Sequence, residues 1–565
     1  MAVNWTREQK QVIEGREKSL LVSAAAGSGK TAVLVERIIQ MITEGENPKD
    51  IDRLLVMTFT RAAAAEMRER IQAAIEKKLE SEPENEHLQQ QAVLVQFAQI
   101  TTIDSFCLHI MREHFDRLDI DPAFRVGDEG EMLLMRADVM DGLLEDYYRD
   151  GGKRYEEFVD AYATGKADGG IAEYVTQVYN FAQSNPWPDA WYEKCREELL
   201  LTEQGELEQT EWMQFLLRDI ALQAQEWKIQ LREAWEICQE TGGPMPYLPM
   251  IEEDLRHAEA VCGAAGSFET ISEALEQFTF SRLAAIRGKN GEVAPEKKAL
   301  VSDCRSRVKK AVEKLKGEYL FASPEQMLTD MEAGKERILE LLELAQEFGR
   351  RFRAKKKEKN VVDFHDLEHF ALEILTEPEA ECSEAEETSR AEGTDQMQGK
   401  NAWTVRVPGT VADELAVQYD EILVDEYQDS NLVQETLIQC ISGERFDRPN
   451  VFMVGDVKQS IYKFRLARPE LFLEKYSTYT SEESAHQKIE LHQNFRSRDH
   501  ILESINAIFY RIMTEKLGNI SYTEDAALHP GAAFEERDGL DELKTELLLV
   551  DLSVQPQKET QKQEI

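Results

Sequence analysis

The sequence predicts an α/β protein built on a parallel β-sheet, with a long all-helical segment inserted into it. Three observations support this fold class. Short apolar runs alternate with helical patterns in the first 115 residues, amphipathic helical patterns fill residues 120–360, and strand patterns return after residue 420. Strands that alternate with helices are typical of parallel sheets joined by crossover helices. Because the strand pattern stops and then resumes, the helical segment is expected to interrupt a single domain.

Six short apolar runs are the predicted strands of this sheet. They are residues 19–24 (SLLVSA), 53–59 (RLLVMTF), 99–104 (QITTID), 421–426 (EILVDE), 450–456 (NVFMVGD) and 488–492 (KIELH). Runs of this length are typical of buried strands. Before the strands return, residues 377–400 are acidic and poor in apolar residues, which predicts a disordered loop. The tail, residues 554–565, has a similarly polar composition and is also predicted to be unstructured.

The composition is that of a multidomain globular protein. The chain has 565 residues, of which 42% are hydrophobic, and this excludes a wholly disordered chain. No run of about 18 apolar residues is present, so no membrane-spanning helix is predicted. The first ten residues lack the apolar core of a signal peptide, and the seven cysteines contain no CxxC pair. We therefore expect a cytoplasmic location.

The net charge of −42 opposes a nucleic-acid partner only when it is averaged over the chain. Residues 1–70 carry 11 Lys and Arg against 10 Asp and Glu, and residues 351–360 contain six basic residues and one acidic residue. This distribution predicts a local, one-sided basic groove. Taken alone, the basic run is also consistent with a solvent-exposed helix end.

A glycine-containing loop with the sequence SAAAGSGKT follows the first predicted strand and opens a helix. Such a loop directs backbone N–H groups at a phosphate, and the positive end of the helix dipole adds to the attraction. Gly27 and Gly29 let the backbone approach the anion, Lys30 would reach the β- and γ-phosphates, and Thr31 would bind Mg²⁺. The predicted phosphate-loop residues are Ala24, Ala25, Ala26, Gly27, Ser28, Gly29, Lys30 and Thr31. The strict motif has glycine where this chain has Ala24, so a glycine-rich turn with a lone lysine is the alternative.

Two adjacent carboxylates, Asp425 and Glu426, follow the apolar run at residues 421–424. At the end of a strand, Asp425 would hold Mg²⁺, usually through water, and Glu426 would orient or deprotonate an attacking water. Acid pairs are common on protein surfaces, so this pair is informative only together with the phosphate loop. In a parallel sheet both elements would lie at the same edge, although almost 400 residues separate them.

Two further segments combine polar, aromatic and basic residues after predicted strands. In MVGDVKQSIYKFRLARP, Gln459 precedes a cluster that includes Tyr462, Phe464 and Arg465. Aromatic rings between cations suit base stacking and phosphate contact, although a core strand followed by an ordinary helix is the alternative. In LHQNFRSR, Arg496 is suited to stabilise charge that develops on a transferring phosphoryl group.

With these motifs, the chain resembles the superfamily 1A DNA helicases of the UvrD/RecB kind. Within that family it is most similar to the AddA subunits of AddAB (RexAB-type) helicase–nucleases. The resemblance covers the whole chain and rests on NWTREQKQVI, SAAAGSGKTAVLVERI, TFTRAAAAEMRERI, TTIDSFC, VGDVKQSIYKFRLARPELF and NFRSR. It implies a RecA-like P-loop NTPase domain with a helical insertion, followed by the start of a second RecA-like domain.

The resemblance also implies roles for residues within the motifs. Gln9 would read adenine, Phe495 would stack on that base, and Gln459 and Arg496 would sense the γ-phosphate. The residues that would contact a DNA strand are Phe59, Thr60, Arg61, Thr102, Ser105, Tyr462, Phe464 and Arg465. Outside these motifs, Gln9 would be interpreted as a surface residue and Phe59 as a core residue.

The implied domains are a first motor domain in two parts, residues 1–118 and 359–484, and a helical insertion at residues 119–358. Residues 485–565 would begin the second RecA-like domain. Relatives carry further helicase motifs and a nuclease domain with metal-binding carboxylates, and neither pattern follows Arg498. We therefore expect the chain to be the N-terminal portion of a longer protein.

The function implied by the resemblance is that of an ATP- and Mg²⁺-dependent 3′→5′ DNA helicase subunit. It would act beside an AddB/RexB-type second subunit in double-strand-break processing, with no membrane partner. Two alternatives remain open: a stand-alone UvrD-like repair helicase, and a nucleotide-gated DNA-binding protein without productive turnover.

Overall fold

A computed structural model describes residues 4–45, 47–163, 169–200, 204–264, 266–286, 293–378, 406–514, 520–535 and 545–548. The chain forms two compact units. The first contains residues 1–106 and 410–565, and the second contains residues 107–409. The predicted tail at residues 554–565 lies outside the described residues, as does the part of the predicted acidic loop from residue 379 to 400.

Within the described part of the first unit, six parallel strands form one sheet. The strands are β1 (Ser19–Ala24), β2 (Leu54–Thr58), β3 (Ile100–Thr102), β8 (Glu421–Val424), β9 (Val451–Gly455) and β10 (His486–Leu491). Their order across the sheet is β10-β1-β9-β8-β2-β3. All five residues of β2 and all four of β8 are buried, as expected for a parallel sheet covered on both faces. The α/β prediction and the six predicted strands are therefore confirmed.

Helices cover the sheet of the first unit and complete its core. They are α1 (Arg7–Glu14), α2 (Lys30–Thr43), α3 (Arg61–Ser81), α4 (Glu86–Leu94), α5 (Ile103–Glu113), α17 (Thr410–Gln418), α18 (Leu432–Ile441), α19 (Pro469–Thr478) and α20 (Asp499–Ile512). Apolar residues of α1, α2 and α3 pack with those of β1, β2 and β9 in one buried cluster. A short parallel pair, β11 (Gln493–Asn494) and β12 (His529–Pro530), lies beyond β10.

The second unit is mainly helical in its described part, as the sequence predicts. Its helices are α6 (Glu129–Asp150), α7 (Gly152–Tyr162), α8 (Gly169–Gln183), α9 (Pro188–Glu198), α10 (Gln204–Gln209), α11 (Glu211–Gln239), α12 (Leu248–Gly263), α13 (Phe268–Gln277), α14 (Pro295–Tyr319), α15 (Pro324–Glu358) and α16 (Phe364–Leu375). Its short strands are β4 (Arg125–Val126), β5 (Val361–Val362), β6 (Thr376–Pro378) and β7 (Arg406–Pro408). No described helix is both long enough and apolar enough to cross a membrane.

The limits of these units differ from the domain limits expected from the sequence. The predicted insertion, residues 119–358, lies inside the second unit, which also includes α16 and the β6–β7 pair. A second difference concerns β10, which falls after the predicted start of the second RecA-like domain at residue 485. It pairs in parallel with β1 over six residues and is therefore a strand of the first sheet. The apolar run shows that β10 is a strand, but its sheet is decided by this pairing.

The basic run at residues 351–360 is largely neutralised within the second unit. Arg351 contacts Asp146 and Glu347, and Lys355 contacts Glu358. Lys356 is 3% exposed and lies 3.0 Å from Asp363. The run therefore stabilises helix packing, and it does not form the basic groove that the sequence suggested.

Candidate functional site

The predicted functional residues of the first unit follow the carboxyl ends of the sheet strands. The phosphate loop follows β1, Phe59 follows β2, Asp425 follows β8, and Phe495 lies beyond β10. Because these strands are parallel, their carboxyl ends share one edge of the sheet. Residues from distant parts of the sequence therefore converge there.

The loop between β1 and α2 has the geometry of an anion-binding turn. Gly27 and Gly29 have φ angles of 73° and 86°, in the left-handed region that glycine adopts without strain. Gly29 is the N-cap of α2 and makes no side-chain cap bond, which leaves the first helical N–H groups for a ligand. The buried Ser28 hydroxyl has no hydrogen-bond partner among the described residues. These features fit a bound phosphate group.

Lys30 and Glu426 bring the two central motifs into contact. The Lys30 Nζ lies 2.9 Å from the Glu426 Oε2, although 396 residues separate them in sequence. The side chains are 12% and 35% exposed, respectively. Glu426 has a φ of 51°, a left-handed conformation that is costly for a residue with a side chain and is often found at functional sites. Its N–H donates to the Asp425 Oδ1 at 3.0 Å.

Two carboxyl groups beside Glu426 have raised pKa values. Burial, followed by the charge of Glu426, raises the pKa of Asp425 to about 6, while Lys30 opposes this change. Burial and the same charge raise the pKa of Asp429 to about 6. Close carboxylates that repel one another are stabilised by a cation. Asp425, together with the Thr31 hydroxyl, therefore has the donor chemistry needed for a divalent metal ion.

The segment after β10 is fastened to the phosphate loop. The Asn494 side chain donates to the Ala26 carbonyl at 2.6 Å and accepts the N–H groups of Arg496 and Ser497. The Phe495 N–H donates to the Gly27 carbonyl at 2.8 Å. A Cβ at Gly27 would lie 2.6 Å from the Asn494 Nδ2, so this close approach requires glycine. Arg496 consequently lies beside the phosphate loop.

Gln9 and Phe495 line the same cavity, which has a volume of about 230 Å³. Gln9 is 5% exposed. Its Oε1 accepts the Thr6 N–H, and its Nε2 donates to the Ser28 carbonyl at 3.0 Å. Both ends of the amide are thus engaged within the protein. A base that enters this cavity would meet an amide already fixed against the phosphate loop.

The aromatic residues predicted to contact DNA form a row at the same sheet edge. The Phe59 and Tyr462 ring centroids are 4.9 Å apart, and those of Tyr462 and Phe464 are 5.8 Å apart. Phe59 is 40% exposed and Phe464 is 75% exposed. Two separate motifs therefore build one exposed apolar strip, a surface suited to base stacking.

The remaining predicted strand-contacting residues lie at helix starts beside this strip. Thr60 is the N-cap of α3, and Arg61 is its first residue. The Thr102 hydroxyl lies 2.9 Å from the Ser105 hydroxyl at the start of α5. Arg465 ends a short 3₁₀ turn, and its side chain lies outside the described part. Gln459 donates to the Asp456 side chain at 2.8 Å, so its amide is bound there and not to the phosphate loop.

Three residues of this site were missed by reasoning from the sequence. Gln428 and Asp429 lie two and three residues after Glu426, and Asn494 precedes Phe495. Their motifs pointed to the neighbourhood, but polar residues beside a motif are common. Their importance depends on contacts with backbone from other strands, which the sequence alone does not reveal.

The parallel sheet, the phosphate loop and the carboxylates beside Lys30 define a P-loop NTPase domain. Residues 5–480 match the family described as the UvrD/REP helicase N-terminal domain. The chain belongs to this helicase family. The resemblance drawn from the motifs is therefore confirmed.

Related proteins extend well beyond the region that this chain matches. Three of them, each named as the A component of an "ATP-dependent helicase/nuclease", come from Lachnoclostridium phytofermentans, Clostridium beijerinckii and Bacillus velezensis. They are 44%, 41% and 40% identical to this chain. The alignments cover 97%, 94% and 97% of this chain, but only 39%, 41% and 42% of these relatives.

Proposed function

We propose that this chain is the ATP-hydrolysing motor of a DNA helicase subunit. The Lys30–Glu426 ion pair is the observation that carries this proposal, because it joins the phosphate loop to a carboxylate of the acidic motif. The aromatic row from Phe59 to Phe464 lies at the same sheet edge and supports a single-stranded DNA substrate. The names of the relatives contain both "ATP-dependent" and "helicase".

Each residue of the site has a chemical role in this proposal. The phosphate loop and Lys30 bind the triphosphate, and Lys30 neutralises charge on the transferring phosphoryl oxygens. Glu426 accepts a proton from the attacking water. Arg496, fastened beside the loop by Asn494, adds positive charge near the same group. Gln459 acts as a γ-phosphate sensor after it is released from Asp456. Thr31 and Asp425 would hold Mg²⁺, which screens the phosphate charge when it is bound.

The base and the DNA strand are assigned to neighbouring surfaces. Gln9 and Phe495 line the cavity proposed for adenine. The aromatic row stacks on bases, and Thr60, Arg61, Thr102 and Ser105 contact the backbone beside it. Arg465 is assigned to the same strand through its motif. Because backbone contact and stacking carry little sequence information, binding is expected to be strongly salt-dependent and weakly sequence-dependent.

The finer biological assignments follow from the relatives. We propose 3′→5′ movement, a role in processing double-strand breaks, and assembly with an AddB/RexB-type second subunit in the cytoplasm. The relatives' names also include "nuclease", and we assign that activity to the region of those proteins beyond the part that this chain matches.

The test compares full-length protein carrying Lys30 or Lys30→Ala. Wild-type protein should hydrolyse ATP faster with single-stranded DNA and unwind a duplex with a 3′ tail in preference to one with a 5′ tail. Lys30→Ala should abolish turnover while the protein remains folded, because the variant lacks the charge that stabilises the transition state. Near-normal hydrolysis by the variant would contradict the nucleotide site. DNA binding without wild-type hydrolysis would favour a nucleotide-gated binding protein.

A further inference from the structure

Gln428 joins the acidic motif to the segment that follows β9. Its Nε2 donates to the Glu426 Oε2 at 2.9 Å and to the Asp429 Oδ2 at 3.2 Å. Its Oε1 accepts the Asp456 backbone N–H at 3.0 Å. The side chain is 2% exposed, so these bonds are shielded from water and constrain all four groups.

The Glu426 Oε2 accepts from both Gln428 and Lys30, each at 2.9 Å. A bound triphosphate would compete with Glu426 for the Lys30 ammonium. When Lys30 turns to the phosphates, Gln428 remains as a donor that fixes the carboxylate. A general base must be held in position when a substrate takes away its counter-charge, because small misplacements lower the rate strongly.

Gly455 provides the space in which the Gln428 amide lies. A Cβ at Gly455 would be 2.3 Å from the Gln428 Oε1 and 3.2 Å from its backbone nitrogen. Glycine is therefore required for the close approach of these two segments. The Ser460 hydroxyl also donates to the Gln428 carbonyl, at 3.3 Å. Gln428 thus contacts residues 455–460 through both its side chain and its backbone.

Residues 456–464 lead directly from this contact to the exposed aromatic row. Asp456 also accepts from Gln459 and Lys458, so the turn after β9 is internally bonded. Tyr462 and Phe464 follow within eight residues and lie against Phe59. A displacement of this segment would be transmitted to Glu426 through the Gln428 amide.

We propose that Gln428 is a positioning residue that fixes Glu426 relative to the segment at residues 456–464. It thereby links the geometry of the hydrolytic carboxylate to the aromatic strip. This inference rests on the proposed function for its catalytic consequence. Its structural part, the fixing of two segments by one buried amide, can be tested without turnover.

The first experiment replaces Gln428 with methionine, which keeps the length of the side chain and removes its hydrogen bonds. The matched control is Gln91→Met. Gln91 is 0% exposed, accepts the Ile51 N–H and donates to Asp50, but it lies in another part of the same unit. In full-length protein, Gln428→Met should leave the ATP dissociation constant within about threefold of wild type and lower DNA-stimulated kcat at least about tenfold. Gln91→Met should leave kcat unchanged.

A readout without turnover is hydrogen–deuterium exchange in the nucleotide-free protein. Gln428→Met should accelerate exchange at residues 456–464, whereas Gln91→Met should not. Unchanged exchange in Gln428→Met would overturn the proposal, as would parallel losses of ATP affinity and kcat. Failure of the wild-type protein to hydrolyse ATP would instead overturn the proposed function, and the exchange experiment would still decide the structural link.

The second experiment reaches the same contact from the opposite side. Gly455→Ala should displace the Gln428 amide and reproduce the loss of kcat with near-normal ATP affinity. The double variant Gln428→Met/Gly455→Ala should then be no slower than the slower single variant, because both changes remove one interaction. Additive losses of kcat would show that the two residues act separately and would overturn the proposal.

Discussion

At the scale of single residues, Glu426 combines three constraints. Its backbone is left-handed, its carboxylate contacts Lys30, and its charge contributes to the raised pKa values of Asp425 and Asp429. Repulsion among these carboxylates and a strained backbone both cost stability. Such an arrangement is typical of a site selected for chemistry at the expense of stability.

Glu426→Gln should retain nucleotide binding and stop hydrolysis. The amide preserves size and polarity, but it cannot accept the proton of the attacking water. Nucleotide affinity and turnover should be measured on the same preparation. A loss of affinity that parallels the loss of turnover would instead assign Glu426 a structural role.

The residues that could be predicted from the sequence are those whose chemistry is written into a local motif. Lys30, Asp425 and Glu426 belong to short patterns that follow apolar strands, and a parallel sheet was sufficient to bring them together. Gln428 and Asn494 act on the backbone of residues 28 and 468 positions away, respectively. Their partners depend on strand order, and strand order is set by packing across the whole sheet.

At the scale of secondary-structure elements, a buried arginine joins two helices and a strand. Arg37 on α2 is 1% exposed, lies 2.7 Å from Glu421 on β8, and donates to the Val12 carbonyl on α1 at 2.5 Å. Its guanidinium also lies 5.0 Å from the centroid of the Phe452 ring on β9. Arg37 therefore fixes the phosphate-loop helix against the strand that carries the acidic motif.

Arg37→Met should destabilise the first unit by about 3–5 kcal/mol, because it leaves the Glu421 carboxylate buried without a counter-charge. The measurement is the free energy of unfolding in denaturant. Arg37→Met/Glu421→Gln should recover part of the loss, since the unpaired charge is then gone. A double variant less stable than the single variant would contradict this explanation.

The aromatic row makes a prediction about DNA affinity. Phe464→Ala should weaken single-stranded DNA binding by about 1–3 kcal/mol if its ring stacks on a base. Phe97 provides a matched control, because it is also 75% exposed but precedes β3, at the opposite edge of the sheet. Equal effects of Phe464→Ala and Phe97→Ala on affinity would contradict a specific stacking role.

At the scale of the whole chain, stability should depend on pH through the helical unit. Burial lowers the pKa of His369 from its usual 6.5 to about 4, and the charges of His365 and Arg353 lower it further. Its Nε2 lies 3.0 Å from the Gln183 carbonyl, and Asp366 and Glu373 line the same cavity. The folded unit therefore keeps this imidazole neutral at pH values where the unfolded chain protonates it.

The native pKa is lower than the unfolded pKa, so this contribution to stability is complete above about pH 6.5 and is lost as the pH falls towards 4. Between pH 7.5 and pH 5, His369 should account for a loss on the order of 1–2 kcal/mol. His369→Gln keeps a donor for the Gln183 carbonyl and removes the titration. Denaturant unfolding at both pH values should show a smaller loss for this variant, and equal losses would refute the assignment to His369.

The strand order also determines when the phosphate loop can form during synthesis. β1 lies between β9 and β10, so its pairing partners begin at residues 451 and 486. At about 5–20 residues per second, the ribosome needs on the order of tens of seconds to make them after β1 emerges. The complete helical unit is synthesised within that interval and can fold first as a separate domain. Until β9 leaves the ribosome, the nascent chain has an apolar first strand without partners and no nucleotide site, and this is the stage at which it most needs a chaperone.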